Sequence, residues 1–260
     1  MSLIDDLLAG LPDKDARIRT VLIGAHWTVV CSEASPPAGL RCGLASTLTG
    51  AMPHGQERVR DAGRLHLKSA RALAEYARSD NVLEAGIGIA AVNSLLDVDE
   101  GQAVEINAAE VLAERGRGKK VALVGHFPFI PKLREQVGRL WVIEQRPAEG
   151  EYPAGSAADF FPQADVVAIT GTALINHTLE GLLDLCRPDA LVMILGPSTP
   201  LSPVLFEHGA TIISGARVID PAAVLGTVGQ GATFQQVQGV RLLTLERKNA
   251  PPLRSDPGRG

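Results

Sequence analysis

Glu144 ends an apolar run, Leu140-Trp-Val-Ile-Glu144, and stands before Gln145-Arg146-Pro147. A carboxylate at a strand end can bind hydroxyls, move a proton or hold a metal; it can equally be a solvated end residue. His126 sits in a second such turn, Gly125-His126-Phe127-Pro128-Phe129. An imidazole there can carry a proton and the flanking rings can stack on a planar ligand. The plainer alternative is a turn residue beside a hydrophobic plug. Thr170-Gly171-Thr172 leads to Asn176-His177-Thr178 at a helix start, where hydroxyls, an amide and free helix N–H groups can hold an anion or a carboxylate. Helix capping by Asn176 or Thr178 needs only one of these groups. Gly196-Pro-Ser198 and Ser214-Gly-Ala-Arg217 add small, polar turns, and Asn93 is a polar residue among apolar neighbours that needs a partner or faces a site.

These turns share a position. Apolar runs at 121–125, 140–144, 166–171, 191–196 and 211–215 each end in one of them. Continuous apolar runs separated by helical segments are what a parallel sheet buried on both faces requires. Ligands bind such sheets in the crevice beyond the carboxyl ends of the strands. The connecting helical segments read as 131–137, 174–185, 203–208 and 221–238, with 239–246 as a closing edge strand. The expected fold is therefore α/β, with a Rossmann-like, mostly parallel sheet.

Ahead of the sheet, Ser2 caps a short helix with Asp5 and Asp6 in its first turn. Residues 17–32 are rich in Val, Ile and Thr with a break at Gly24, and 42–48 supply a third strand after the Pro36-Pro37 turn. This predicts a small antiparallel sheet. A helix over 63–78 covers it, and helices over 89–97 and 107–115 lead to the large sheet. The expected division is 1–78, 79–248 and a disordered tail from 249, where Pro, Gly, Arg and Asp dominate.

Several motifs argue against familiar chemistry. The first strand turn has one glycine, two bulky rings and a proline, which disfavours an ordinary dinucleotide loop. Gly86-Ile-Gly-Ile-Ala90 fits the glycine pattern of methyltransferases, but we read it as a helix start packed close to a neighbour. No G-x-S-x-G, Walker loop or H-E-x-x-H is present. His26, Cys31, Cys42 and His54 match no usual zinc spacing, so no protein metal site is expected. Cys31, Cys42 and Cys186 are odd in number and widely spaced, and we read them as reduced thiols.

At 260 residues and 45% hydrophobic the chain can bury a substantial core. A net charge of -4 gives no reason to expect nucleic acid. No run reaches the roughly 18 apolar residues of a membrane helix, and the first residues lack the basic and apolar regions of a signal peptide. A cytoplasmic location is the expectation.

Taken together, Gly86-Ile-Gly-Ile-Ala-Ala-Val-Asn93, Val124-Gly-His-Phe-Pro-Phe129, Glu144 with Pro147, Asp165-Val-Val-Ala-Ile-Thr-Gly-Thr-Ala-Leu-Ile-Asn176 with Thr178-Leu-Glu180, and Gly196-Pro-Ser198 resemble the prokaryotic family of uncharacterised, putative heavy-metal-chelation proteins. The resemblance covers the chain to about residue 248; its specificity lies in the order and spacing of the motifs. It implies a small enolase-N-terminal-like α+β domain before the Rossmann-like one, with a site where the two meet. It also implies metal homeostasis and the making or breaking of pterin-, flavin- or siderophore-like chelators.

Carried over by position, the ligand-binding residues are Asn93, Gly125, Phe127, Pro128, Thr170, Gly171, Thr172, Asn176, Gly196 and Ser198, to which the rim adds Ser214. Glu144 is the expected acid/base and His126 a secondary proton carrier. The expected partner is a small-molecule ligand or metal chelate, any metal ion arriving with the ligand, and a second copy of the chain as a homodimer. Two other readings stay open: an S-adenosylmethionine- or nucleotide-dependent transferase, and a non-catalytic binding module for a metal complex.

Overall fold

The computed structural model describes residues 2–13, 15–33, 39–49 and 58–247. The Pro36-Pro37 turn, His54 and the tail from 249 lie outside the described residues. The elements run α1 (Leu3–Ala9), β1 (Ile18–Ile23), β2 (Trp27–Glu33), β3 (Leu40–Ser46), α2 (Ala70–Ala74), α3 (Val82–Leu95), α4 (Ala108–Gly116), β4 (Lys120–Val124), α5 (Ile130–Gln136), β5 (Arg139–Glu144), β6 (Tyr152–Pro153), α6 (Ala157–Phe160), β7 (Val166–Thr170), α7 (Thr172–Ile175), α8 (Leu179–Asp184), β8 (Leu191–Leu195), α9 (Val204–Glu207), β9 (Ile212–Val218), α10 (Pro221–Gly229) and β10 (Val240–Glu246).

The large sheet has the order β10-β9-β8-β7-β4-β5-β6, parallel throughout except for β10, which closes the edge antiparallel to β9. The apolar runs follow from its two buried faces. Ala122, Trp141, Ile143, Val167 and Ile169 enter one core, while Val121, Leu123, Leu140, Val142 and Val166 enter the other with α4 and α5. After β5 and β6 the chain returns to the far side of β4 to form β7. The strand order therefore reverses between β4 and β7, the place where open α/β sheets leave a crevice.

β1, β2 and β3 form the small antiparallel sheet. It too is covered twice. Val30 and Ala45 face α3, while Val29, Cys31 and Leu44 face Val224 and Val228 of α10. Because α10 follows β9 of the large sheet, the two sheets share a wall.

α3 differs from the expected segment in where it begins. Asn81 caps it by accepting from the Leu83 amide at 2.9 Å, so Gly86 and Gly88 lie inside the helix and are not its start. Interior glycine costs about 1 kcal/mol relative to alanine, and here the reason for it is contact. A Cβ on Gly88 would fall 1.9 Å from the Ala77 nitrogen, one on Gly86 would reach the Ser46 carbonyl at 3.1 Å, and one on Gly43 would meet the Ala90 carbonyl at 2.1 Å. The helix backbone lies directly on backbone to either side, with no polar face.

Other helices break where long-range packing overrides local pattern. The 63–78 segment is α2 flanked by 3₁₀ turns, and 174–185 splits into α7 and α8 at His177, whose φ is +58°. In 221–238 the helix stops at Gly229.

The cysteine expectation needs correcting. Cys31 and Cys42 are directly opposed in β2 and β3 and joined as a disulfide, with Cα atoms 4.1 Å apart. Cross-strand register creates this pair, and counting cysteines cannot reveal register. Cys186 alone is a free thiol among the three, and burial pushes its pKa up to about 12. Among the described residues no helix is long and apolar enough to cross a membrane.

Gly88→Ala is expected to cost more than about 3 kcal/mol, beyond the usual overpacking range. Gly181→Ala, in exposed α8 with nothing within 4 Å of its Cβ, should instead gain about 0.5–1 kcal/mol. Guanidinium denaturation midpoints of the two variants check the contrast.

Candidate functional site

Four of the five expected turns lie side by side on the crest of the large sheet; the fifth, Ser214 to Arg217, is instead part of β9, which runs on to Val218 because β10 pairs with it along its whole length. Gly125 and Gly196 adopt φ of +115° and +112°, a region that side chains rarely enter. Each turn continues the ladder past the strand end. The Gly125 amide donates to the Ile143 carbonyl at 3.1 Å, that of Gly171 to Leu195 at 2.8 Å and that of Gly196 to Ser214 at 3.1 Å. In a phosphate-binding loop these are the donors that point at the ligand. Here neighbouring strands occupy these three amides.

The Phe127 ring folds back over Gly125. A Cβ there would lie 2.9 Å from the Phe127 ring and 3.0 Å from Thr170 Cβ, so ring and threonine both crowd that glycine. Phe127 and Phe129 stack with centroids 5.0 Å apart at 22°. With Pro128 they wall a cavity of about 400 Å³ over the end of β8 and the middle of β9. Leu195, Gly196, Phe234 and Leu242 line the rest, and Asn107, Ser214 and Gln235 are its polar members. None of the lining residues carries a charge.

Of the expected site residues, Phe127, Pro128, Gly196 and Ser214 thus come together in one cavity. The Ser214 hydroxyl is turned to Thr244, 2.6 Å away. Asn93 and Ser198 serve as staples. Asn93 Nδ2 donates to the Leu44 carbonyl at 2.9 Å and to that of Ser198 at 3.4 Å. Ser198 Oγ accepts from the Ser46 amide at 2.9 Å and shares a hydrogen bond with Ser46 Oγ at 3.0 Å. Together they tie β3 to the crest.

Thr170 and Thr172 are linked through their hydroxyls at 3.0 Å. Asn176 accepts from the Thr178 hydroxyl at 2.7 Å and from its amide at 3.3 Å, an Asx turn across the break between α7 and α8 and not a helix cap. Glu144 ends β5 and accepts from the Gln145 amide at 2.8 Å. His126 is exposed and its Nδ1 lies 2.7 Å from Glu151. The Ala148 amide, and after it His126, hold the Glu151 carboxyl below the ordinary carboxylate range against the cost of desolvation.

Asn107, Phe129, Phe234 and Gln235 are cavity residues that motif reading did not assign. Asn107 was legible as a helix start, and it caps α4 by accepting from the Ala109 amide at 2.9 Å. Phe129 stood inside a quoted motif. Phe234 and Gln235 carry no local signal, since only the return of the chain after α10 brings them to the crest.

Residues 107–246 match a family described as putative heavy-metal chelation, and residues 4–96 match a second profile of the same description. The chain belongs to the putative heavy-metal chelation family. Solved structures similar to this member include a protein of unknown function from Desulfitobacterium hafniense DCB-2, 28% identical, with a TM-score of 0.80 over 94% of this chain and 98% of that one. Another, from Pyrococcus horikoshii, is 21% identical with a TM-score of 0.76 over the same shares, and shows the fold. An uncharacterised protein of Methanocaldococcus jannaschii is 30% identical over 151 residues, 55% of this chain and 58% of that relative's length. For a family so described, the donor set is informative. Among the described residues no three of His, Cys, Asp or Glu converge to hold a metal ion.

A folded-state pKa below the unfolded value makes Glu151 stabilising above the ordinary carboxylate pKa, and that contribution is lost as pH falls through the lowered value. Amide exchange at Ala148 should therefore lose protection on acidification. In Glu151→Gln the protection should be weaker at neutral pH and insensitive to that titration.

Proposed function

We propose that the crest binds a small amphipathic chelator, or its metal complex, with its planar ring in the Phe127–Phe129 cavity and its oxygen-rich edge toward Thr170 and Thr172. The observation that carries this reading is the stacked pair closing a cavity of about 400 Å³ with uncharged lining. That volume lies in the ordinary range for small-molecule pockets, and apolar walls with a few placed polar groups are their usual composition. Asn107, whose Oδ1 caps α4, offers its Nδ2 as a donor, and the Gln235 amide offers both a donor and an acceptor to a heteroaromatic edge. Phe127 borders the apolar cavity on one side and Thr170 on the other, so one ligand can use both environments. A pterin- or flavin-like ring fits this description better than a nucleotide, whose phosphates require donors that the Gly125, Gly171 and Gly196 amides have already committed to the ladder.

The metal enters this reading as part of the ligand. Catechol, hydroxamate or pterin oxygens supply the donor set, and the cavity recognises the organic frame. Glu144 and His126, at neighbouring strand ends, are the groups for proton transfer if the bound molecule is also processed. The S-adenosylmethionine reading is less favoured, because Gly86 and Gly88 already have a packing role inside α3.

Native mass spectrometry after exposure to a metabolite extract should capture a ligand. Phe127→Ala should then weaken its binding by about 10- to 100-fold, the scale of one lost aromatic contact and its buried area. Undiminished affinity in that variant overturns the site. Glu144→Gln should leave affinity near that of the parent if the protein only binds, and abolish turnover if it also catalyses.

A further inference from the structure

We infer that Cys31 and Cys42 form a redox-gated site for a soft, two-coordinate metal cation, separate from the crest cavity. The two residues are cross-strand partners in a ladder that pairs Trp27 with Ser46 at one end and Glu33 with Leu40 at the other. That ladder and the seating of Gly43 against the Ala90 carbonyl of α3 hold the cysteines opposite one another independently of the bond between them. Opening the disulfide therefore leaves two sulfurs still apposed, and rotation about χ1 can separate them enough to admit a metal.

Access comes from one side. Cys31 is fully buried, but Cys42 is 7% exposed and lines a cavity of about 310 Å³ between β3 and β9. A dithiol reductant transfers two electrons and two protons, leaves as its own disulfide and yields two thiols. A divalent ion then displaces both thiol protons and forms two metal–sulfur bonds. The oxidised protein has no thiolate at this position to offer, so the redox state gates binding.

The surroundings select the ion. Thiolates favour soft metals, while zinc in structural sites takes four ligands. Among the described residues no third His, Cys, Asp or Glu joins the pair. The pair packs on Val224, Val228 and Val237, an apolar setting that penalises a net charge. Two thiolates neutralise a divalent cation and leave a negative complex with a monovalent one. A two-coordinate divalent ion, for which Hg²⁺ is the probe, matches all three constraints.

The experiment reduces the full chain with a phosphine under anaerobic conditions, counts thiols, and titrates Hg²⁺ against a competing thiol; Zn²⁺ and Cu⁺ are titrated against metal-specific competitors. One Hg²⁺ should bind per reduced chain, ahead of Cu⁺ and Zn²⁺, and Cys186→Ser should bind it unchanged. The double variant Cys31→Ser/Cys42→Ser and the oxidised protein should bind more than about 100-fold more weakly, beyond the loss typical of a secondary contact. Because that variant also lacks the crosslink, a second measurement uses the unaltered sequence: Hg²⁺ should protect the Cys31 and Cys42 peptides from alkylation. Equal alkylation with and without Hg²⁺, equal affinity in the oxidised protein, or a disulfide that resists reduction while the protein stays folded overturns the inference. None of these outcomes bears on ligand capture at the crest.

Discussion

Backbone-on-backbone contact by α3 is the constraint from which the rest of the molecule follows. Gly43 admits the helix to the face of β3, Gly86 keeps it beside Ser46, and Gly88 lets the 76–77 turn lie against its other side. Once α3 is seated, Asn93 on its last turn is within reach of both Leu44 and Ser198. The small sheet is thereby held against the crest of the large one. Side chains larger than hydrogen at these glycines would separate the layers, and the staples between them would lose their partners.

A second contact network holds the segment ahead of α3. Glu84 is almost fully buried, and burial by itself works against its charge. The Arg60 amide at 2.6 Å, the Ser79 hydroxyl at 2.7 Å and the Arg60 guanidinium at 2.8 Å outweigh that cost and keep its pKa below the ordinary value. A buried carboxylate with several donors is strongly position-specific, because losing any one leaves the others to carry an unsatisfied charge. Arg60 is fixed to the helix in this way.

At the crest the same logic sorts the candidate residues by what they already bond to. Gly125, Gly171 and Gly196 give their amides to adjacent strands, Ser214 is engaged by Thr244, and Asn176 closes the turn between α7 and α8 on Thr178. What remains for a ligand is the aromatic wall, a pair of amides and the Thr170–Thr172 hydroxyls. The crest is chemically quieter than its motifs suggest. In the function proposed above, its cavity offers shape and a few uncharged polar groups, which suits a neutral planar ring better than a phosphate.

The sequence by itself determined the parts that depend on near neighbours. The five buried strands were legible because a strand covered on both faces must be apolar at every position, and the caps at Ser2 and Asn107 were legible because a helix start needs a short polar side chain. The family was legible because the motifs between Gly86 and Ser198 keep its order and spacing. Tertiary structure alone decided the Cys31–Cys42 pairing, the interior place of Gly86 and Gly88, the use of Asn93 and Ser198 as staples, and the arrival of Phe234 and Gln235 at the cavity. Each of these joins residues through register or layer packing, and such contacts depend on where the whole chain folds back, which no local pattern encodes.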